Sequence, residues 1–126
     1  MILVDTNIII RFWRSPDEKT ADVFRNEDVA VCGTVKAELL HGARSEEDYR
    51  RIVSALADFP CIEMRETDWD LLGYYLYLLR TGGVTIPFQD ALIATLALSN
   101  EASVWTNDKH FTLIQSVLPK LQLYEI

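Results

Sequence analysis

Short apolar, β-branched runs alternate with helical patterns along this chain, and that alternation restricts the fold more than any single residue does. The runs are Ile2 to Val4, Val29 to Cys32, Cys61 to Met64, Ser103 to Thr106 and Leu121 to Tyr124. Strands that alternate with helices pair in parallel and take those helices on both faces of the sheet. The expected architecture is therefore α/β: a three-layer α/β/α sandwich around a mostly parallel five-stranded sheet. At 126 residues one hydrophobic core suffices, so residues 1–126 are read as a single domain.

Capping chemistry supplies the helix boundaries. Ser15-Pro16-Asp17-Glu18 offers a capping Ser, Pro at the first helical position and Glu three residues after the cap. Thr34 is placed to cap a helix bearing Val35, Leu39 and Ala43, and Ser45 one bearing Tyr49, Ile52, Val53 and Leu56 at helical spacing. Thr67 opens a helix that is apolar nearly all round from Trp69 to Leu79, and Gly82-Gly83 ends it. Ala91 to Leu98 has the length and alanine content of a buried helix.

Apolar residues make up 49% of the chain and charged ones 25%, the balance of an ordinary globular protein. No apolar run approaches the roughly 18–20 residues that span a bilayer, and no basic stretch precedes the first apolar one, so the expected compartment is cytoplasmic, with no membrane partner. Cys32 and Cys61 lie in runs that read as buried strands, where the cytosol keeps them reduced. With His41 and His110 they lack the paired spacing of a zinc site. The net charge of −7 opposes tight non-specific binding to nucleic acid. It does not exclude a nuclease, because divalent ions cancel the charge of a carboxylate site and make it attractive to phosphate.

Four acids stand out by position. Asp5 ends the first strand, and ligands of open α/β sheets bind beyond the strands' carboxyl ends; equally, Asp5 can cap the next helix, with Thr6 and Asn7 as turn residues. Asp90 is the only charge between Thr81 and Asn100 and opens an apolar helix, either as a ligand or as a cap. Asp108 follows Ser103 to Thr106, where Thr106-Asn107-Asp108 can be a ligand-bearing edge or a turn. Glu38 follows the cap Thr34 by four residues, and a surface glutamate is the commonest kind.

Together they point further. Two fall at strand carboxyl ends and two in early helix turns, which begin at that same edge in a doubly wound sheet, so all four can converge. Carboxylates so gathered repel unless protonated or bridged by cations. Mg²⁺ and Mn²⁺, hard ions that take oxygen ligands and keep several waters, suit such a cluster. Their chemistry is activation of water for attack on phosphorus and stabilisation of the leaving oxygen. No Ser or Cys stands where a nucleophile elbow would place it.

These residues resemble a known family. Asp5-Thr6-Asn7 after an apolar strand is similar to the opening of PIN-domain nucleases, Glu38-Leu39 with Gly42 to their second acidic motif, Asp90-Ala91-Leu92-Ile93-Ala94 to their third, and Thr106-Asn107-Asp108 with His110-Phe111 to their fourth. Each motif alone is weak; the ordered set spans nearly the whole chain. Its length resembles that of VapC-type toxins of type II toxin–antitoxin systems. The resemblance implies Mg²⁺- or Mn²⁺-dependent endonucleolytic cleavage of RNA, a homodimer and inhibition by a cognate antitoxin protein. It assigns metal ligation and catalysis to Asp5, Asp90, Asp108 and Glu38, with Thr6 or Asn7 in support. Phe88 and Gln89 depart from the family pattern before Asp90.

Other classes fit less well. A receiver-like Mg-binding signalling domain needs an acidic pair after the first strand and an acceptor Asp after the third; here these places hold Asp5-Thr6-Asn7 and Met64-Arg65. A dehalogenase-like phosphatase needs an Asp where Asn7 stands. A PIN-like binding module without activity is disfavoured by the presence of all four acids.

Two surfaces exceed what a single sheet can bury. The helix from Trp69 to Leu79 carries three Tyr, one Trp and five Leu with Asp70 as its only charge, although packing on a sheet needs only a stripe. Charge-poor, aromatic-rich faces are typical of interface cores. Phe12 and Trp13 raise the same expectation, and the resemblance distributes the two surfaces between a homodimer and an antitoxin. Lys36, Arg44, Arg50 and Arg51 can serve as phosphate contacts or as a solvated face.

Overall fold

The computed structural model describes residues 1–126 throughout. In chain order the elements are β1 (Ile2–Val4), α1 (Thr6–Arg14), α2 (Glu18–Asn26), β2 (Val29–Cys32), α3 (Gly33–His41), α4 (Glu46–Leu56), β3 (Cys61–Ile62), α5 (Glu66–Thr81), α6 (Phe88–Ser99), β4 (Ser103–Trp105), α7 (His110–Val117) and β5 (Gln122–Leu123). The sheet order is β3-β2-β1-β4-β5 and every pairing is parallel. This is the expected PIN-like α/β arrangement.

The strand order determines where the helices lie. From β1 the chain moves outward through β2 to β3, then crosses back to β4 and β5 on the other side. Right-handed crossovers running in opposite directions place their helices on opposite faces. Accordingly α1, α3 and α4 pack with one another, as do α5, α6 and α7. The strands are short and apolar throughout because both faces are covered. Leu3, Val4, Ala30, Cys32 and Val104 are wholly inaccessible. All of Ala91 to Ala97 in α6 is buried, as its composition predicts. Each large side chain so buried contributes roughly 1.5–3 kcal/mol.

Several boundaries differ from the sequence expectation. Ser15 is the C-cap of α1, and the cap of α2 is Asp17, whose carboxylate accepts from the Thr20 amide at 2.9 Å. Pro16 lies in the turn between them. α3 begins two residues earlier than expected, with Cys32 as its cap in place of Thr34 and no side-chain bond to it. Ser45 caps α4 as expected, through the Asp48 amide. α5 begins at Glu66 rather than after Thr67, because Asp68 reaches back to the Arg65 amide at 2.8 Å.

Cys61 is exposed, contrary to the expectation of a buried strand, since β3 is a two-residue strand at the sheet edge. Tyr49 and Val53 face solvent while Ile52 and Leu56 reach the core, so the apolar stripe of α4 is narrower than its sequence implies. No helix is long and apolar enough to cross a membrane.

Candidate functional site

The order of strands across the sheet reverses between β1 and β4, parallel neighbours whose outgoing connections leave in opposite directions. Such a switch point opens a crevice at the carboxyl edge of the sheet. Val4 lies opposite Trp105 in the register, so the next residues on each strand, Asp5 and Thr106, emerge side by side. The Asp5 amide donates to the Trp105 carbonyl at 2.9 Å.

Asp5 is both cap and cleft residue. Its Oδ1 accepts from the Thr6 amide at 2.8 Å, and its Oδ2 from the Thr106 hydroxyl at 2.7 Å and from Asn7 Nδ2 at 3.1 Å. The Thr106 oxygen in turn accepts from the Asp108 amide at 2.9 Å, and Asn7 Oδ1 accepts from the Asn107 amide at 3.0 Å. The two strand ends are thereby clamped together by side chains from both. Only 6% of Asp5 is exposed, and burial pushes its pKa up. Bonds from Thr106 and Thr6 pull it down, the charges of Asp90 and Glu38 push it up again, and the net shift is upward.

Asp90 arrives from the other layer. α5 and α6 run antiparallel, for Asp68 near the start of α5 accepts from Ser99 at the end of α6 at 2.7 Å. α6 then leads through Glu101, in the left-handed region at φ 53°, directly into β4. The end of α6 is therefore near the amino edge of the sheet and its start near the carboxyl edge. Asp90 lies in the first turn, after the cap Pro87, where the helix dipole favours a carboxylate. Burial is the main cause of its raised pKa; His110 opposes the rise, and Asp108 and Glu38 add to it.

Asp108 follows β4, and its Oδ1 accepts from the His110 amide at 2.9 Å in an Asx-type turn. The His110 ring bridges two acids: Nδ1 is 2.8 Å from Asp90 Oδ2 and 3.1 Å from Asp108 Oδ1. The bond to Asp90 is the chief cause of the raised His110 pKa, ahead of an opposing desolvation and of attraction to Asp108 and Asp90. Glu38 is exposed on α3, and its charge reaches Asp5 and Asp90.

All four predicted acids line one cleft of about 340 Å³, together with Thr6, Asn7, Gln89 and His110. The tightest group within it is Asp90, Asp108 and His110, whose ligand atoms lie within 4.8 Å of one another. Asp5 and Glu38 stand outside that group but in the same cleft. The oxygen donors, the raised carboxyl pKa values and the half-buried setting fit a hard divalent cation. The sequence assigned no role in the acidic site to His110, seen there as a motif neighbour and a rejected zinc ligand, or to Thr106, taken for a turn residue. The available signal was position: His110 is two residues past Asp108, the span of an Asx turn. The two cysteines and two histidines do not gather into one site, since His110 belongs to the acidic group, Cys61 is at the sheet edge and His41 is outside the cleft.

Of the basic residues, Arg50 pairs with Glu46 at 2.8 Å and Arg51 approaches Asp48 at 3.7 Å, each within its own helix. That arrangement is a solvated, mixed-charge face.

Fold and cleft together define an all-parallel α/β protein with an oxygen-rich acidic site at the switch point of its sheet. Residues 2–116 match the PIN domain, and the chain belongs to that family of nucleases. A receiver-like assignment falls with that match. Solved structures with the same fold include a chain of VapBC2 from Rickettsia felis bound to a DNA fragment from their promoter, with 22% identity, 98% of each chain covered and a TM-score of 0.83. A chain of VapBC-1 from nontypeable Haemophilus influenzae has 26% identity, coverage of 99% of this chain and 98% of that one, and a TM-score of 0.77. A chain of FitAcB from Neisseria gonorrhoeae has 22% identity, coverage of 99% and 97%, and a TM-score of 0.81. No curated protein matches the chain by sequence.

Proposed function

We propose that this protein is a Mg²⁺- or Mn²⁺-dependent endoribonuclease of the cytoplasm, the toxin of a type II toxin–antitoxin pair. The observation that carries the proposal is the convergence of Asp5, Glu38, Asp90 and Asp108 from four different elements on one cleft. Membership of the PIN family and a fold shared with chains of VapBC complexes support it.

Asp5, Asp90 and Asp108 would hold the ion, with Glu38 at the open side. What a divalent ion supplies in such a setting is a polarised water and positive charge opposite developing oxyanions. The chain's own part is positioning. Thr6, Asn7 and Thr106 fix both oxygens of Asp5 by hydrogen bonds, so its carboxylate does not reorganise when substrate arrives. The half-buried acids keep the cleft's field strong, and Glu38 reaches the solvent side, where an RNA backbone enters.

The test is induction of the chain in cells, with RNA 5′ ends sequenced in its presence and in that of Asp5→Asn. New ends that require Asp5 support the proposal. Identical end profiles, with both proteins folded and equally abundant, would refute it. Rescue of growth by a co-expressed neighbouring gene, and co-purification of its product, test the antitoxin half separately.

A further inference from the structure

We infer that His110 is a donor in the divalent-cation site and that its imidazole tilts the site toward Mn²⁺ over Mg²⁺; this rests on the metal-dependent reading above. His110 Nδ1 stands 2.8 Å from Asp90 Oδ2 and 3.1 Å from Asp108 Oδ1. Neighbouring donors in an octahedral site with bonds of about 2.1 Å lie about 3 Å apart. The ring nitrogen therefore stands at the spacing a third donor needs, which is also that of its hydrogen bonds to the two carboxylates. All three atoms fall within the 4.8 Å that one ion can bridge.

The backbone holds this arrangement. His110 is the first residue of α7, and its amide donates to Asp108 Oδ1, so ring and carboxylate are fixed to one turn. Asp90 comes from a separate helix buried along most of its length. The His110 side chain is 41% exposed, which gives an ion access from the cleft. To hold an ion there Nδ1 would have to be free of its hydrogen, so binding would release that proton to solvent.

The choice of ion follows from ligand chemistry. Mg²⁺ takes oxygen and parts with its waters reluctantly; Mn²⁺ shares the preference for oxygen but, as a first-row transition ion, accepts an imidazole nitrogen more readily. A cleft lined only by carboxylates discriminates weakly between Mg²⁺ and Mn²⁺; a nitrogen donor adds more affinity for Mn²⁺ than for Mg²⁺. His110 is the only imidazole lining the cleft, so a nitrogen bound to the ion is attributable to it.

The experiment uses the full chain stripped of metal, titrated calorimetrically with Mn²⁺ and with Mg²⁺, and pulsed EPR of the Mn²⁺-loaded form. Wild type should favour Mn²⁺ at least tenfold and show ¹⁴N modulation from a coordinated imidazole. In His110→Ala the modulation should vanish and the preference should shrink at least fivefold, while the circular dichroism spectrum is unchanged. Mn²⁺ binding to wild type without ¹⁴N modulation overturns the role of His110 and leaves the metal reading standing; that measurement needs no variant. An unchanged preference or persisting modulation in folded His110→Ala does the same. Failure of both ions to bind at millimolar concentration overturns the metal reading and this inference with it.

Discussion

The Thr106 hydroxyl donates to Asp5 Oδ2 at 2.7 Å and accepts from the Asp108 amide at 2.9 Å, so one oxygen links acids from opposite ends of the chain. It also receives the longer bond from Asn7 Nδ2 at 3.3 Å, which uses its single proton and both lone pairs. The register Val4 to Trp105 makes the meeting unavoidable once β1 and β4 pair. Thr106→Val keeps the shape and removes the oxygen, leaving the Asp108 amide without its partner. The expected cost is about 1–3 kcal/mol in denaturant unfolding. RNA cleavage should fall tenfold or more, and Thr106→Ser should restore most of it. Wild-type cleavage by Thr106→Val would show that Asp5 orients itself without help.

Metal binding should stabilise the fold. The raised pKa values of Asp5 and Asp90, caused first by burial and then by the neighbouring acids, register the cost of keeping these charges in the bare protein. An ion that relieves this stabilises the native state by mass action. At a hundredfold excess over Kd, Mn²⁺ or Mg²⁺ should raise the melting temperature by roughly 5–10 °C. Asp90→Asn should blunt the rise. A melting curve indifferent to both ions at millimolar concentration would remove the physical basis of the clustered site.

Asp5→Asn, Asp90→Asn and Asp108→Asn each keep shape and remove charge. Each should lower cleavage by orders of magnitude while circular dichroism shows the fold intact. Since the acids act as one unit, the double variant Asp5→Asn/Asp90→Asn should be little worse than either single one. Full multiplication of the two losses would mean that the residues act at independent steps.

The parallel sheet and the four acids were legible in the sequence because each leaves a local trace. A β-branched run ending in Asp marks a strand edge, and a lone Asp before Ala91 to Leu98 marks a helix start facing something polar. The spacing of His110 from Asp108 was visible, but its bridge to Asp90 was not, since Asp90 lies on another helix and only the packing of α6 against α7 joins them. Caps misled in a consistent way. Ser15 and Thr67 are good capping residues, but Asp17 and Asp68, a residue or two further on, form the side-chain bonds at those helix starts. The exposure of Cys61 was likewise hidden, because edge or centre position depends on strand order and not on strand sequence.

Asp68 gives a pH dependence with a definite sign. It is almost fully buried, and burial alone would raise its pKa; the bonds from Ser99, the Arg65 amide and the Arg65 guanidinium outweigh that and hold it below the usual value of 3.8. A carboxyl depressed on folding contributes stability that is present above its unfolded pKa and lost as pH falls through its folded one. Asp68→Asn should therefore be destabilised relative to wild type at neutral pH by about 1–3 kcal/mol. The gap should close below about pH 3.8. The comparison between the two proteins isolates Asp68, because Asp5 and Asp90 have raised values and contribute the opposite slope in both. A gap independent of pH from 7 to 3 would mean that packing, not charge, joins α5 to α6.

The last prediction concerns the face of α5. Trp69, Tyr74 and Tyr77 remain 50%, 55% and 53% exposed, so the surrounding helices do not cover them. Leu72 and Leu79 of the same helix are buried, which means the helix has met its packing requirement with one face and still presents aromatics on the other. Arg80 lies over the Tyr77 ring at 5.8 Å, too small a cover to shield the patch from water. Phe12 is half-buried beside an exposed Trp13, a second and separate aromatic site. The α5 face should pair two copies of the chain, leaving the Trp13 region for an antitoxin segment. Sedimentation at tens of micromolar should give a dimer, and Tyr74→Glu/Tyr77→Glu should give a folded monomer. If the wild-type chain sediments as a monomer, the α5 aromatics need a different partner. If the double variant remains a dimer, the copies meet elsewhere. Trp13→Ala should leave the dimer intact and weaken only co-purification with the neighbouring gene's product.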